Sequence, residues 1–268
     1  MNWRGSTGYP NRFAGIIVLG PYRSGTSLMS RILSKLGVNF GPDREMHAGT
    51  QYNPGGYFER AAINNANDAF ITSSGGDLAR PGDPVELARR GDPKPLREMD
   101  LTWMAAERTW GIKDPRLCAS LWAWLELGII SRDKLAIVYV ERSLDDATRS
   151  GVRDPNIPDY CDGTPQGIRD MLSLYATLAD WHVQQLQLPT LHLRYEDLIA
   201  DPAAAVAQLA EFIGVSDRRT IRRAANVVGK NRSLFAYYVH RYLVKAPRKA
   251  FRILTGQDSF RRRRAKSR

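Results

Sequence analysis

Phe13-Ala-Gly-Ile-Ile-Val-Leu-Gly20 runs apolar without a break and stops at a glycine. A stretch this short cannot cross a membrane, which takes about 20 residues. It has no polar face to show to water either, so it predicts a strand buried on both sides in a parallel sheet. The turn Gly20-Pro-Tyr-Arg-Ser-Gly-Thr-Ser27 follows, and from Thr26 the spacing of Leu28, Ile32, Leu33 and Leu36 traces one helical face that ends at Gly37. Strand, loop and helix in this order aim backbone N–H groups and the positive end of a helix dipole at the loop, where an anion would sit.

The remaining chain repeats that alternation. Leu135 to Glu141 reads as a second buried strand, and Ser143 with Asp146 three residues on marks a helix start. Ile168 to Gln187 predicts a helix, Thr190 to Leu193 a third strand, and Asp201-Pro202 opens a helix that runs through Phe212 and closes at Gly214. Strands alternating with helices imply an α/β fold, a parallel sheet covered by helices on both faces. Residues 72–98, rich in Gly, Pro, Asp and Arg, show no sustained periodicity. They predict a surface excursion, either a binding loop or lid or a plain linker.

At 268 residues and 43% hydrophobic, the chain suffices for one substantial core, and a single domain over 1–268 is expected. Cys118 and Cys161 match no metal or disulfide pattern, and Met1 to Phe13 contains no apolar signal segment. A soluble protein of the reducing cytoplasm is expected. The net charge of +11 is placed unevenly: Arg218 to Arg268 holds 17 Lys and Arg against one acid, Asp258, whereas the other 217 residues carry 22 cations against 27 acids. The basic segment at 218–268 is either a solvated tail or a contact for an anionic surface, a membrane or nucleic acid.

The first loop overlays the phosphate-binding pattern G-x-x-x-x-G-K-[ST] except that Thr26 stands where a nucleoside triphosphatase needs its lysine. The cation sits inside the loop instead, at Arg23. A triphosphate calls for that lysine together with Mg²⁺, whereas a 5′-phosphate bearing one sulfate can be held by amides, hydroxyls and a single cation. Arg23-Ser-Gly-Thr-Ser-Leu28 resembles the 5′-phosphosulfate loop of the sulfotransferases that use 3′-phosphoadenosine 5′-phosphosulfate (PAPS). In that family an Arg at a later strand end and a Ser eight residues on clamp the donor's 3′-phosphate, and Arg142 and Ser150 have this spacing and context. Gly111-Ile-Lys-Asp-Pro-Arg-Leu117 and Arg194-Tyr-Glu-Asp-Leu-Ile-Ala-Asp-Pro202 resemble segments of the bacterial branch.

The resemblance implies a P-loop-like sulfotransferase fold and transfer of a sulfuryl group from PAPS to a hydroxyl or amine, with release of 3′-phosphoadenosine 5′-phosphate (PAP) and no metal. It implies donor contacts from Arg23, Ser24, Gly25, Thr26, Ser27, Leu28, Arg142 and Ser150, with Lys230 and Arg232 as further candidates near the 3′-phosphate. Such transfer is an in-line displacement through a loose transition state, so positioning and charge stabilisation dominate. Glu59, closing Asn53-Pro-Gly-Gly-Tyr-Phe-Glu59, is the expected base, with Glu45 and His47 as alternatives in the same stretch. Lys113 is expected to stabilise the bridging oxygen and Arg23 the leaving group, while Asp114 and Arg116 could equally pair to fix their own turn. Two rivals remain at this point. A kinase or NTPase could use Glu141 as its strand-end acid, and the aromatics Phe235, Tyr237, Tyr238, Tyr242 and Phe251 among the basic residues could make a nucleic-acid or membrane-surface binder. Neither the acceptor nor the oligomeric state is legible.

Overall fold

The apolar run becomes strand β1, Gly15–Leu19, with every residue buried. In this computed structural model residues 12–228 are described, apart from 51, 52 and 54. The chain divides into two compact units, Met1–Ala225 and Asn226–Arg268, and the account below concerns the first. Lys230, Arg232 and the aromatic residues of the basic segment lie outside the described residues.

After β1 come α1 (Thr26–Lys35), α2 (Ala61–Ser73), α3 (Pro84–Arg90), α4 (Lys94–Arg97), β2 (Trp110–Lys113) and α5 (Leu117–Glu126). Then follow β3 (Leu135–Glu141), α6 (Leu144–Val152), α7 (Pro165–Leu186), β4 (Thr190–Arg194), α8 (Tyr195–Ala200) and α9 (Pro202–Ile213). The strands form one parallel sheet in the order β2-β1-β3-β4. The chain leaves β1 for β2 on one side and returns for β3 on the other, so connections diverge at the carboxyl ends of β1 and β3. In open α/β sheets that divergence makes the crevice where ligands bind. The loop after β1, Lys113 at the end of β2, Arg142 after β3 and Tyr195 after β4 all stand at this one edge.

The expected elements at 168–187 and 201–214 are present, with Gly214 closing α9 in the left-handed region at φ 82. Thr190–Arg194 lies at the end of the sheet order and alternates accordingly: Leu191 and Leu193 face in, His192 and Arg194 face out. Two local expectations differ from the structure. Ser143 precedes α6 but its hydroxyl caps nothing; its backbone N–H instead donates to Glu196 Oε1 at 2.9 Å, and Asp146 pairs with Arg149. A carboxylate delivered from the end of β4 has replaced the local cap. The stretch 72–98 also folds more than its composition suggested. Asp83 caps α3 through the N–H groups of Val85 and Glu86, and Leu87 and Leu96 are each 1% exposed. With one buried leucine per short helix, no periodicity could show.

His182 on α7 is fully buried. Its Nε2 accepts from the Trp122 backbone N–H at 2.9 Å, so the ring proton lies on Nδ1, which donates to the Leu178 carbonyl at 2.8 Å. Burial pushes its pKa down to about 4, and the ring is neutral and structural.

Candidate active site

Gly25 holds φ 101 at the head of α1, and a Cβ there would run into the ring of Tyr195. Only glycine satisfies both conditions. Within the loop the Ser24 hydroxyl donates to the Pro21 carbonyl at 2.8 Å, and both Ser24 and Thr26 are buried. The Ser24 side chain fixes the loop's shape, which leaves the N–H groups of the first turn of α1, unpaired within a helix by construction, to meet a ligand. Ser27 reaches outward, donating to the Tyr57 carbonyl at 3.2 Å and accepting from Lys113 Nζ at 3.5 Å. Leu28 is buried beneath the loop.

Arg23 has φ 64 and turns its guanidinium away from the loop onto α6. Nε donates to Ser150 Oγ at 3.0 Å and Nη1 to Asp154 Oδ2 at 2.8 Å. Arg142 reaches back from the end of β3, its Nη1 donating to the Arg23 carbonyl at 3.0 Å, with its guanidinium carbon 4.4 Å from the centre of the Tyr195 ring. Arg142 Nε is buried with no hydrogen bond to the protein. Burial lowers the Arg142 pKa from the usual arginine value, the neighbouring phenol of Tyr195 works against that fall, and the charge on Arg23 adds to it. Arg23 thus joins Arg142, through its carbonyl, and Ser150, through its Nε, although they lie 119 and 127 residues away in the chain.

On the other flank, Lys113 Nζ contacts Glu59 Oε1 directly, with the two side chains 3% and 13% exposed. Glu59 Oε2 accepts from Asn64 Nδ2 at 3.4 Å. Beneath them Asp114 and Arg116 do pair, at 3.2 Å, and Arg116 also binds Asp68. Burial opposes the charge on Arg116, but Asp114, Tyr22 and Asp68 outweigh it and hold the guanidinium above its usual pKa. Of the alternative bases, Glu45 is held by Arg60, and the exposed His47 touches Glu59 through its backbone, its N–H donating to the Glu59 carbonyl at 2.8 Å. Glu141 points along the sheet's edge toward His192 Nδ1, 3.6 Å away.

Tyr195 and Glu196 are functional candidates that the sequence reading did not single out. The Tyr195 ring packs against Gly25 and under Arg142, while the Glu196 carboxylate holds the N–H of Ser143. The signal was an aromatic–acid pair directly after β4, at the same edge as every other candidate. Asn64 and Asn67 on α2 were missed as well, having no motif around them. Among the described residues no group of three His, Cys, Asp or Glu is placed to hold a metal ion, and no helix is long and apolar enough to cross a membrane.

The family model for the sulfotransferase domain matches residues 14–233. Among solved structures, the chain is similar to the sulfotransferase STF1 from Mycobacterium tuberculosis H37Rv, at 16% identity over 79% of this chain and 70% of that one, with a TM-score of 0.42. No curated protein matches.

Proposed function

The chain belongs to the sulfotransferase domain family, and from that premise we propose that it moves a sulfuryl group from PAPS to a hydroxyl or amine acceptor and releases PAP. The observation that carries this reading is the meeting of Arg23, Arg142 and Ser150 on one side of the α1 N-terminus, with the Lys113–Glu59 pair touching Ser27 on the other. The first group suits the 3′-phosphate of the donor. The loop amides and Ser27 suit its 5′-phosphosulfate.

In the proposed reaction Glu59 takes the proton from the acceptor O–H or N–H as the acceptor atom bonds to sulfur. The bond from sulfur to the 5′-phosphate oxygen breaks, and its electron pair leaves with that oxygen on PAP. Lys113, within reach of both Glu59 and Ser27, stabilises the charge growing on the departing oxygen. Glu59 is thereby paired before reaction and becomes the proton acceptor during it. We also assign the protein to the cytoplasm, with the basic segment at 218–268 available for an anionic surface.

Thermal denaturation tests the donor, with EDTA in the PAP and AMP samples only. PAP should raise the melting temperature by more than AMP does. Equal shifts would remove the 3′-phosphate clamp, and protection by ATP with Mg²⁺ but none by PAP would replace a sulfotransferase with a triphosphatase.

A further inference from the structure

Helix α2 presents Asn64, Asn67 and Asp68 at neighbouring positions of one face, toward the carboxyl edge of the sheet. Asn67 is closed. Its Nδ2 donates to Asp114 Oδ2 at 2.9 Å, and its Oδ1 accepts from Ser120 Oγ at 2.8 Å and from Trp124 Nε1 at 2.9 Å. Asn64, one turn earlier and 4% exposed, is the same residue type left open. Its Nδ2 makes the long bond to Glu59 Oε2, and its Oδ1 is buried without a hydrogen bond to the protein. Turning the amide over would not help, because Oδ1 would then face the carboxylate with lone pairs on both sides.

A buried carbonyl oxygen without a donor costs stability, and the one long bond from Nδ2 to Glu59 returns little of it. Asn64 therefore adds little to stability where it stands. What it does supply is a second hold on Glu59: Lys113 takes Oε1 and Asn64 takes Oε2, which fixes the rotation of the carboxyl group about its last bond. We propose that Asn64 is a positioning residue for sulfuryl transfer, keeping the free lone pair of Glu59 Oε2 aimed at the acceptor's O–H or N–H. This rests on the role given to Glu59 above.

The test is Asn64→Leu in the full chain, read three ways. Transfer of sulfur-35 from PAPS into an extract of the source cells should fall roughly 10- to 100-fold, the scale on which misplaced catalytic groups lose rate. The shift in melting temperature given by PAP should stay as in the wild type, because no donor contact is touched. The melting temperature without ligand should stay within about 5 °C of the wild type, because the variant removes the unpaired Oδ1 along with the long bond to Glu59, whereas losing a structural asparagine costs more. Asn67→Leu supplies that contrast, since it strips partners from Asp114, Ser120 and Trp124 and should melt earlier. Asn64→Leu transfer within about threefold of wild type, or a melting temperature lower by more than about 5 °C, would overturn the proposal. A wild-type protein that binds PAP and transfers sulfur while Asn64→Leu behaves in either of those ways removes this inference alone. A wild type that does neither removes the proposed function, and this inference with it.

Discussion

Replacing Glu59 with glutamine probes the reaction and the fold at once, because the carboxylate that would take the proton is also the partner of an almost fully buried cation. Lys113 is 3% exposed at its side chain, and Glu59→Gln leaves it facing a neutral amide. Breaking a buried pair from one side costs about 3–5 kcal/mol, and in a chain of this size each kcal/mol lowers the melting temperature by roughly 2–4 °C, so a fall of about 6–20 °C is expected. Loss of the base should cut turnover by about 10²–10⁴, with PAP affinity little changed. The two effects separate in the double variant Glu59→Gln, Lys113→Met, which removes both charges. Replacing the whole pair with neutral groups is often harmless to a fold. The double variant should recover most of the melting temperature and none of the turnover. Sulfur-35 transfer from PAPS and differential scanning fluorimetry on the three proteins give both readings. Turnover of Glu59→Gln near the wild-type rate would refute the assignment of the base, and a double variant that regains activity would show that the loss came from the stranded lysine.

Arg142→Ala should weaken PAP by about 1.5–3 kcal/mol, the value of hydrogen bonds to a charged group, while adenosine 5′-phosphosulfate, which lacks the 3′-phosphate, binds as before. Calorimetric losses of equal size for both ligands would place Arg142 elsewhere. His182 makes stability depend on pH in a defined direction. Its folded pKa of about 4 lies below the unfolded value of 6.5, so the unfolded chain takes up the proton first as pH falls. The contribution is fully present above pH ~6.5 and fades toward pH ~4, with about 2 kcal/mol already lost at pH ~5. Urea midpoints at those pH values should therefore fall more steeply for the wild type than for His182→Gln, and parallel falls would rule this residue out as the cause.

The sequence revealed the features that are local along the chain. The run at 13–20 needs nothing from elsewhere to declare a buried strand with a loop and helix behind it, whereas Lys113, at the end of β2, stands out only through the resemblance of Gly111 to Leu117 to a family segment. The eight-residue spacing from Arg142 to Ser150 likewise crosses one strand end and one helix start. What stayed hidden depends on partners far away in sequence. Glu196 takes over the capping at Ser143 from 53 residues downstream, and Asn67 finds Asp114 at a separation of 47. Neither the donors nor the acceptors of such pairs carry a local pattern. Arg23 shows the same limit in reverse: its place in the loop was legible, but its turn onto Ser150 and Asp154 follows from where α6 packs.

The position of β1, first of the described strands yet interior in the sheet, bears on how the protein is made. Both its neighbours come late, since Gly15 pairs with Trp110 on one side and with Leu135 on the other. At a synthesis rate of about 5–20 residues per second, the ribosome works for roughly 5–20 s before β2 exists to cover it. Through that interval an uncharged, β-prone strand is in the nascent chain with no sheet to join, the kind of segment that seeds aggregation. Arg12 before it, and Pro21 and Arg23 after it, flank the run with residues that resist strand-to-strand association. The yield of soluble protein should therefore respond to slower translation or added chaperone more than the stability of the finished fold would suggest.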